Sequence, residues 1–389
     1  MEKQKICIIG GGLTGLITAT ILSKLNLEVD LITENSNKVI KSCRTTAISQ
    51  ENYEFLKKLK VLNNLEKNFW PSSKMKLYAD EKNKFLEIFE FNQTSTKSKK
   101  IFYMIENSKL IINLNKKILS KKSIKFIVKK RISEIINIDF LKGFKIENKI
   151  SSKYNLIIIC TGNSSELTKN FKGNKIYKYD YDEIAITTVI KHDFLKNNIA
   201  RQIFSDEGVL AFLPISNNKT SVVWSIKKSF IKNNNHRKIK EKINFYAKNF
   251  FKNIDFIFNL EMKELNLLIR KEYHSERILL FGDAIHSVHP LAGQGINMML
   301  RDLKILKKIL NSKISLGLDI GSKDVLSEFE NMTKSKNFAH SVGIDLIRNS
   351  FKFKKKPLKN IRNKIIMKLN KNNIIKKIFY NIADKGLIF

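Results

Sequence analysis

Apolar residues run without interruption through 6–9 in a strand read at 5–9, give way to glycines at 10–15, and resume with helical spacing from Leu16 to Leu25. A second strand is read at 28–33, ending at Glu34. That succession predicts strand, tight turn, helix and parallel strand, the half-fold that cradles a dinucleotide. Farther on, 44–70 reads as helical with short loops, 73–105 carries strand-like stretches at 76–78 and 85–91, and 110–119 is helical again. Residues 124–128, 134–138 and 144–147 are candidate strands of a small β-meander. The continuous apolar run 156–160 has the character of a parallel sheet covered on both faces. Between 175 and 265 the alternation is β-like with one helical stretch, 237–250. Residues 277–281 form another short buried strand. Ile296, Met299, Leu300, Leu303, Ile305 and Leu306 then fall at helical positions, and from 325 the pattern stays helical to the end.

These patterns divide the chain into three parts. A dinucleotide-type α/β domain is expected from 1–72, 106–174 and 268–325, a β-rich domain inserted into it from 73–105 and 175–267, and a basic helical region at 326–389. A length of 389 residues with 43% hydrophobic and 10% aromatic content suits a folded multidomain protein, and disorder is not expected. The three cysteines, Cys7, Cys43 and Cys160, are scattered without metal or redox spacing, so structural roles in a reducing compartment are expected and no metal. No apolar run approaches the roughly 18 residues of a membrane span, and the N-terminus enters a strand pattern in place of a signal peptide, so a cytoplasmic protein is expected.

A formal charge of +36 invites a nucleic-acid partner. Lysine, asparagine, isoleucine and phenylalanine are overused along the whole chain, however, and the basic residues lack the aromatic interleaving of a single-strand groove. No nucleic-acid binding is expected.

Two motifs carry the chemistry. Gly10-Gly11-Gly12-Leu13-Thr14-Gly15 fits G-x-G-x-x-G, with a strand before it, a helix after it, and Glu34 placed at the end of the next strand where a carboxylate can accept from ribose hydroxyls. Far downstream, Gly282 and Asp283 follow the strand at 277–281, and Pro290, Gly293 and Gly295 precede a helix, an arrangement that brings backbone N–H groups toward something negative. A second loop with its own acid is surplus for NAD but suits the ribityl chain of a flavin.

Residues 281–302 resemble the signature of the flavin-dependent aromatic hydroxylases of the p-hydroxybenzoate hydroxylase-like class. Within them, His289-Pro290-Leu291-Ala292-Gly293-Gln294-Gly295-Ile296-Asn297, with Asp302 beyond, is similar to the ubiquinone-biosynthesis hydroxylase subgroup. Arg44-Thr45-Thr46-Ala47 resembles the family's arginine segment beside the flavin, and Glu106-Asn107 with Leu110 its next helix start. Arg201-Gln202-Ile203-Phe204, Gly208, Leu210, Ala211, Leu213, Pro214 and the run 221–224 match its substrate-domain pattern; read alone, Pro214 is an ordinary turn and Trp224 a half-buried strand residue. The resemblance spans residues 4–320. Two positions depart from it: Thr161-Gly162, in the run 160–165, stands where the family has Asp-Gly, and Met299 stands where the subgroup commonly has glycine. The threonine keeps a hydrogen bond but no charge, and Met299 reads as repacking or as a filler beside cofactor or substrate.

The resemblance implies an α/β fold with a Rossmann-like FAD-binding domain, an inserted β-rich substrate domain and a C-terminal helical segment. It implies noncovalent FAD, NADH or NADPH as co-substrate, and O2 used to hydroxylate the ring of a polyprenylated phenol in ubiquinone biosynthesis. Gly10, Gly12, Leu13, Thr14 and Gly15 would admit the pyrophosphate, Glu34 the adenosine ribose, and Arg44 would offer a cation to phosphate or flavin. Gly282 and Asp283 would meet the ribityl chain, and Pro290, Gly293, Gln294, Gly295, Ile296 and Asn297 the isoalloxazine. His289 and Pro290 are the catalytic candidates, although the flavin carries the chemistry; His286 and His289 read either as acid/base groups or as structural donors. Two other functions stay open: a related flavoprotein oxidoreductase on another phenol or isoprenoid, and a flavin-binding scaffold of low activity in a quinone-synthesis complex or homo-oligomer. Ring position, nicotinamide type and oligomeric state are not legible.

Beyond Phe351 the chain holds a dozen Lys and Arg and the single acid Asp384, with Leu358, Ile361, Ile365, Leu369, Ile374, Ile378 and Ile382 at helical spacing. Such a helix either packs its apolar stripe on the dinucleotide domain or lays it on the inner face of the cytoplasmic membrane, which would suit a polyprenylated substrate.

Overall fold

The strand Gln4–Ile9 sits inside a six-stranded sheet whose order is His274–Ser275, Ile278–Leu280, Leu156–Ile159, Gln4–Ile9, Leu27–Thr33 and Ile124–Val128. A computed structural model of the chain describes residues 3–34, 42–81, 84–92, 100–128, 132, 134–146, 149–162, 166–169, 171, 176–353 and 355–386. All neighbours in this sheet are parallel except the edge pair His274–Ser275 and Ile278–Leu280. Leu156–Ile159 is buried at every position, which is why its sequence shows no polar alternation. The helix Leu13–Leu22 is buried throughout 15–22 and belongs to the interior. It starts earlier than the apolar spacing predicts, because its first turn contains Gly15, where a Cβ would lie only 1.8 Å from the Gly10 carbonyl oxygen.

A nine-stranded sheet forms a second body. Its order is His286–Ser287, Glu261–Arg270, Ile176–Lys191, Lys219–Lys227, Gly208–Ser216, Ile199–Phe204, Lys74–Glu81 and Lys84–Asn92, with Asp255–Phe256 also paired to Ile176–Lys191. The helix His236–Ala247 covers one face with Ile239, Ile243 and Tyr246, and its Asn235 cap accepts from Lys238 N–H. Trp224, expected to be half-buried, is fully enclosed between Phe230 and Tyr246. Pro214, expected in a turn, lies inside the strand Gly208–Ser216 at a register shift, where the ladder does not require its missing N–H.

Two other expectations are corrected by pairing partners distant in sequence. The first residues of the stretch read as helical are the strand Thr45–Ser49, antiparallel to Phe102–Glu106, and only Gln50–Lys58 is α-helical there. Ile124–Val128 is the outer strand of the parallel sheet, and the meander consists of Glu134–Ile138, Leu141–Ile146 and Lys149–Ile150; Glu147, placed in it by the sequence, lies outside the described residues.

Three helices, Lys323–Ser350, Lys356–Asn370 and Asn373–Lys385, close the chain. The last two dock through polar groups: Asn363 Nδ2 donates to Glu81 Oε1 at 2.9 Å, Asn370 Oδ1 accepts from Glu90 N–H, and Asp384 Oδ1 accepts from Glu51 N–H. Leu358, Ile361, Ile365, Ile374 and Ile378 point outward, each at least 43% exposed. Leu369 and Ile382, the other members of the stripe, are half-buried, and Phe379 and Tyr380 touch Phe89 and the cluster around Met75, so polar and apolar contacts together hold the tail.

Trp224→Ala should lower stability by about 3–5 kcal/mol, read from urea unfolding followed by circular dichroism, because the enclosed site cannot refill the space.

Candidate cofactor site

Three parallel neighbours, Gln4–Ile9, Leu156–Ile159 and Ile278–Leu280, send their carboxyl ends to one edge, which gathers three loops that the sequence keeps far apart. In the first loop, Gly10 has φ +126° and a Cβ there would come within 2.8 Å of the Cys160 carbonyl oxygen. Its N–H donates to Ile32 O at 2.8 Å. Gly12, by contrast, faces open space, and it caps the helix Leu13–Leu22 without any side-chain hydrogen bond. The helix end thus presents unsatisfied N–H groups toward a clearing that an anion can enter. Glu34 follows the strand Leu27–Thr33 and is exposed, as is Asp283.

The late loop rests directly on the early one. Gly282 has φ +66°, and a Cβ on it would be 2.6 Å from Thr14 Cγ2 and 3.4 Å from Met299 Cγ. Met299 is buried in the main core, so it fills the space beneath this contact. The short strand His286–Ser287 then joins Glu261–Arg270 of the large sheet, which ties the loop to both bodies. Beyond Pro290, the helix Gln294–Ser315 starts behind Gly293, whose φ of +63° is left-handed and whose Cβ would be 3.1 Å from Ala47 Cβ. Gly295 faces open space, and Ile296 packs against the core. Asn297 is buried, with its amide wholly engaged by protein: Nδ2 donates to Ala47 O and Gly293 O, and Oδ1 accepts from Ser49 N–H and Asn52 Nδ2. It pins the loop to the strand Thr45–Ser49.

Two buried polar atoms near these loops, Thr161 Oγ1 and Gln294 Oε1, have no protein partner. Groups left so would each cost about 1–3 kcal/mol, so a ligand with hydroxyl, amide or phosphate groups fits this edge. Residues 163–165, the remainder of the Thr161 segment, lie outside the described residues. Arg44 reaches the site region but its Nε is 3.3 Å from Glu261 Oε2, and Glu261 also accepts from Ser42 Oγ and Cys43 N–H. Burial tends to raise the Glu261 carboxyl, yet these donors and the Arg44 charge hold it below the usual range.

The two candidate histidines are enclosed. His286 Nε2 is 3.1 Å from Asp302 Oδ2, which also accepts from Asn337 Nδ2 at 2.9 Å. His289 Nε2 is 3.0 Å from Glu183 Oε2, and Glu183 Oε1 accepts from Arg348 Nη2 at 2.6 Å. Desolvation pushes His289 down, so at neutral pH it is uncharged and donates from Nε2. Burial would lift Glu183, but hydrogen bonds from His289 and Arg348 and the Arg348 charge bring it to about 2. Sequence reasoning missed Glu183, Glu261 and Arg348. The available signal was an acid directly preceding the apolar run Ile184-Ala185-Ile186.

Among the described residues no group of three or more His, Cys, Asp or Glu is placed to hold a metal ion.

The profile of the family described as "FAD binding domain" matches residues 3–115 and 147–316. The chain is 25% identical over 387 residues to 3-demethoxyubiquinol 3-hydroxylase of Escherichia coli, covering 97% of each protein. It is 22% identical over 455 residues to the mitochondrial ubiquinone biosynthesis monooxygenase COQ6 of Dictyostelium discoideum, covering 97% of this chain and 90% of that protein. Among solved structures it resembles p-nitrophenol 4-monooxygenase PnpA of Pseudomonas putida, with a TM-score of 0.81, 15% identity and 99% of each chain covered. HpxO of Klebsiella pneumoniae, solved in complex with FAD, gives a TM-score of 0.76 at 13% identity, covering 98% of this chain and 99% of that one. At such identities the structural likeness speaks for the fold.

Asn297→Ala removes all four amide contacts and should lower stability by about 1–3 kcal/mol, measured by thermal unfolding, with weaker FAD retention on gel filtration. The Glu183 carboxyl is ionised in the folded chain down to about 2 against 4.5 ordinarily. The unfolded chain therefore binds the extra proton in that window, and the stabilisation, complete above 4.5, should fade as pH falls toward 2. Acid unfolding of wild type and Glu183→Gln checks it: the variant should show a shallower fall there.

Proposed function

The chain belongs to the family described as FAD binding domain, and from that premise we propose that it is an FAD-dependent monooxygenase that hydroxylates the ring of a polyprenylated phenol in ubiquinone biosynthesis, with NADH or NADPH and O2 as co-substrates. The observation that carries this reading is the seating of Gly282 on Thr14, which fuses the early glycine turn and the late acid-bearing loop into one elongated cofactor edge. The printed activities of relatives matched over nearly their full length favour a quinone-pathway phenol as substrate.

Bound FAD supplies hydride acceptance from the nicotinamide and activation of O2. The chain's own part is binding and orientation. In this reading Gly10, Gly12 and Gly15 let the pyrophosphate approach the first helix, with Leu13 and Thr14 forming that helix's opening turn. Glu34 accepts from the adenosine ribose, and Gly282 and Asp283 meet the ribityl chain. The segment from Pro290 through Gly293, Gln294, Gly295 and Ile296 turns backbone N–H groups and the positive end of a long helix toward the electron-rich edge of the reduced ring. Asn297 holds that segment in place from behind, His289 serves as a buried anchor beside Pro290, and Thr161 offers a buried hydroxyl without a protein partner. Arg44, shared with Glu261, bridges cofactor edge and substrate sheet.

The substrate's polyprenyl tail gives a role to the C-terminal helices. Among the described residues no helix is long and apolar enough to cross a membrane. An outward stripe of Leu358, Ile361, Ile365, Ile374 and Ile378, flanked by lysines, suits shallow docking on an anionic bilayer from which such a substrate is taken.

Purified protein should be yellow and should oxidise NAD(P)H faster when a prenylated phenol is added, with one oxygen atom of O2 recovered in the product by mass spectrometry. A colourless protein that cannot be reconstituted with FAD would sink the proposal. Ile361→Glu with Ile365→Glu and Ile378→Glu, all at exposed positions, should leave folding intact and reduce flotation with phosphatidylglycerol vesicles severalfold; unchanged flotation removes the tail from the reading.

A further inference from the structure

We propose that Glu183 is a positioning residue of the cofactor site: its single carboxylate, held between His289 and Arg348, sets the seat of the Pro290 loop against the substrate sheet. This rests on the reading that the loop faces the flavin. Three segments remote in sequence converge on the carboxylate. Oε2 accepts from His289 Nε2 at 3.0 Å and from Arg348 Nε at 3.3 Å, while Oε1 accepts from Arg348 Nη2 at 2.6 Å. Arg348 is delivered by the long helix Lys323–Ser350, and its guanidinium lies 4.1 Å from the Tyr181 ring centroid. That ring meets the His289 ring edge-on at 5.4 Å.

The backbone is bent to bring Glu183 there. The strand Ile176–Lys191 shifts register between Asp180 and Glu183, and Asp182 takes a left-handed φ of +55°, which is strained for a residue with a side chain. Asp182 is left exposed while Glu183 turns inward and is buried. The bulge resets the register so that Glu183, inward like Tyr181, lies opposite Leu265 of the strand Glu261–Arg270.

Stability alone does not require this arrangement, since a buried ion pair is often matched or bettered by apolar side chains of similar volume. What the charged version adds is geometry. A bidentate guanidinium and an imidazole fix the carboxylate in a plane, and His289 is joined directly to Pro290. The loop is thereby pinned from two sides: Asn297 secures it to the strand Thr45–Ser49, and Glu183 secures it to the substrate sheet. His289 Nδ1 is buried without a protein partner, so among the described residues its only side-chain hydrogen bond is the one to Glu183.

The test compares wild type with Glu183→Gln, with the double variant Glu183→Leu/Arg348→Met, and with His289→Gln, whose amide nitrogen can replace Nε2 as donor. Apoprotein is titrated with FAD by fluorescence, and the visible bands and midpoint potential of the bound flavin are recorded alongside thermal unfolding. The double variant removes the two most buried charges together, leaves their outer neighbours Lys352 and Asp345 partly exposed to water, and should unfold cooperatively near the wild-type temperature. It and Glu183→Gln should bind FAD about tenfold more weakly, the effect expected of a small misplacement, with shifted flavin bands and potential. His289→Gln should stay within about twofold of wild type. A folded double variant with wild-type FAD affinity, bands and potential would overturn the proposal, as would failure of His289→Gln to retain them. Wild-type apoprotein that takes up no FAD would instead overturn the flavin reading on which the proposal stands.

Discussion

The close approach of Gly282 to Thr14 is the contact on which the rest of the site depends. The two residues are 268 positions apart, and a single Cβ at Gly282 would intrude to 2.6 Å from Thr14 Cγ2. Only a residue without a side chain and tolerant of a φ of +66° allows the approach. Once it is made, the carboxyl ends of three parallel strands face one clearing, and Glu34 and Asp283 stand exposed at its border. Met299 closes the core below. The unpartnered Thr161 and Gln294 oxygens make the same edge polar and partly desolvated.

The substrate sheet meets this edge through apolar contacts of Val288 and Leu291 and through directional ionic and polar ones. Glu261 gathers Ser42, Cys43 and Arg44, and Glu183 gathers His289 and Arg348. Each carboxylate is drawn down despite burial because donors from another segment meet it. An apolar interface of the same area would tolerate sliding, whereas directional hydrogen bonds define a register between the two bodies. The histidines of the late motif belong to this fastening. His286 serves Asp302 and His289 serves Glu183, which explains residue types that look like acid/base groups when read along the chain.

The C-terminal helices divide their apolar residues between body and solvent. Asn363, Asn370 and Asp384 bond to the body, Phe379 and Tyr380 touch it, and Ile361, Ile365, Ile374 and Ile378 face outward among lysines. Apolar periodicity in the sequence reports that one face is alike; it does not report which partner covers that face. The same spacing therefore served both expectations.

The parallel sheet, the buried first helix, the glycine turn with Glu34 and the helix after Gly293 were legible in the sequence. Each rests on local physics: continuous apolar runs for strands covered on both faces, and glycine wherever backbone must approach backbone. Thr45–Ser49 as a strand, Ile124–Val128 in the parallel sheet, the enclosure of Trp224 and the placement of Pro214 were not legible, since each depends on a pairing partner far away in the chain. Glu183, Glu261 and Arg348 share that property, because a charge is aimed by a bulge or a distant helix and not by its neighbours. The sequence by itself determined which segments would be strands, helices and close turns around a dinucleotide-type edge. Tertiary structure alone decided which charges meet across the two sheets, because Coulomb and hydrogen-bond partners are chosen by proximity in space, which local spacing does not encode.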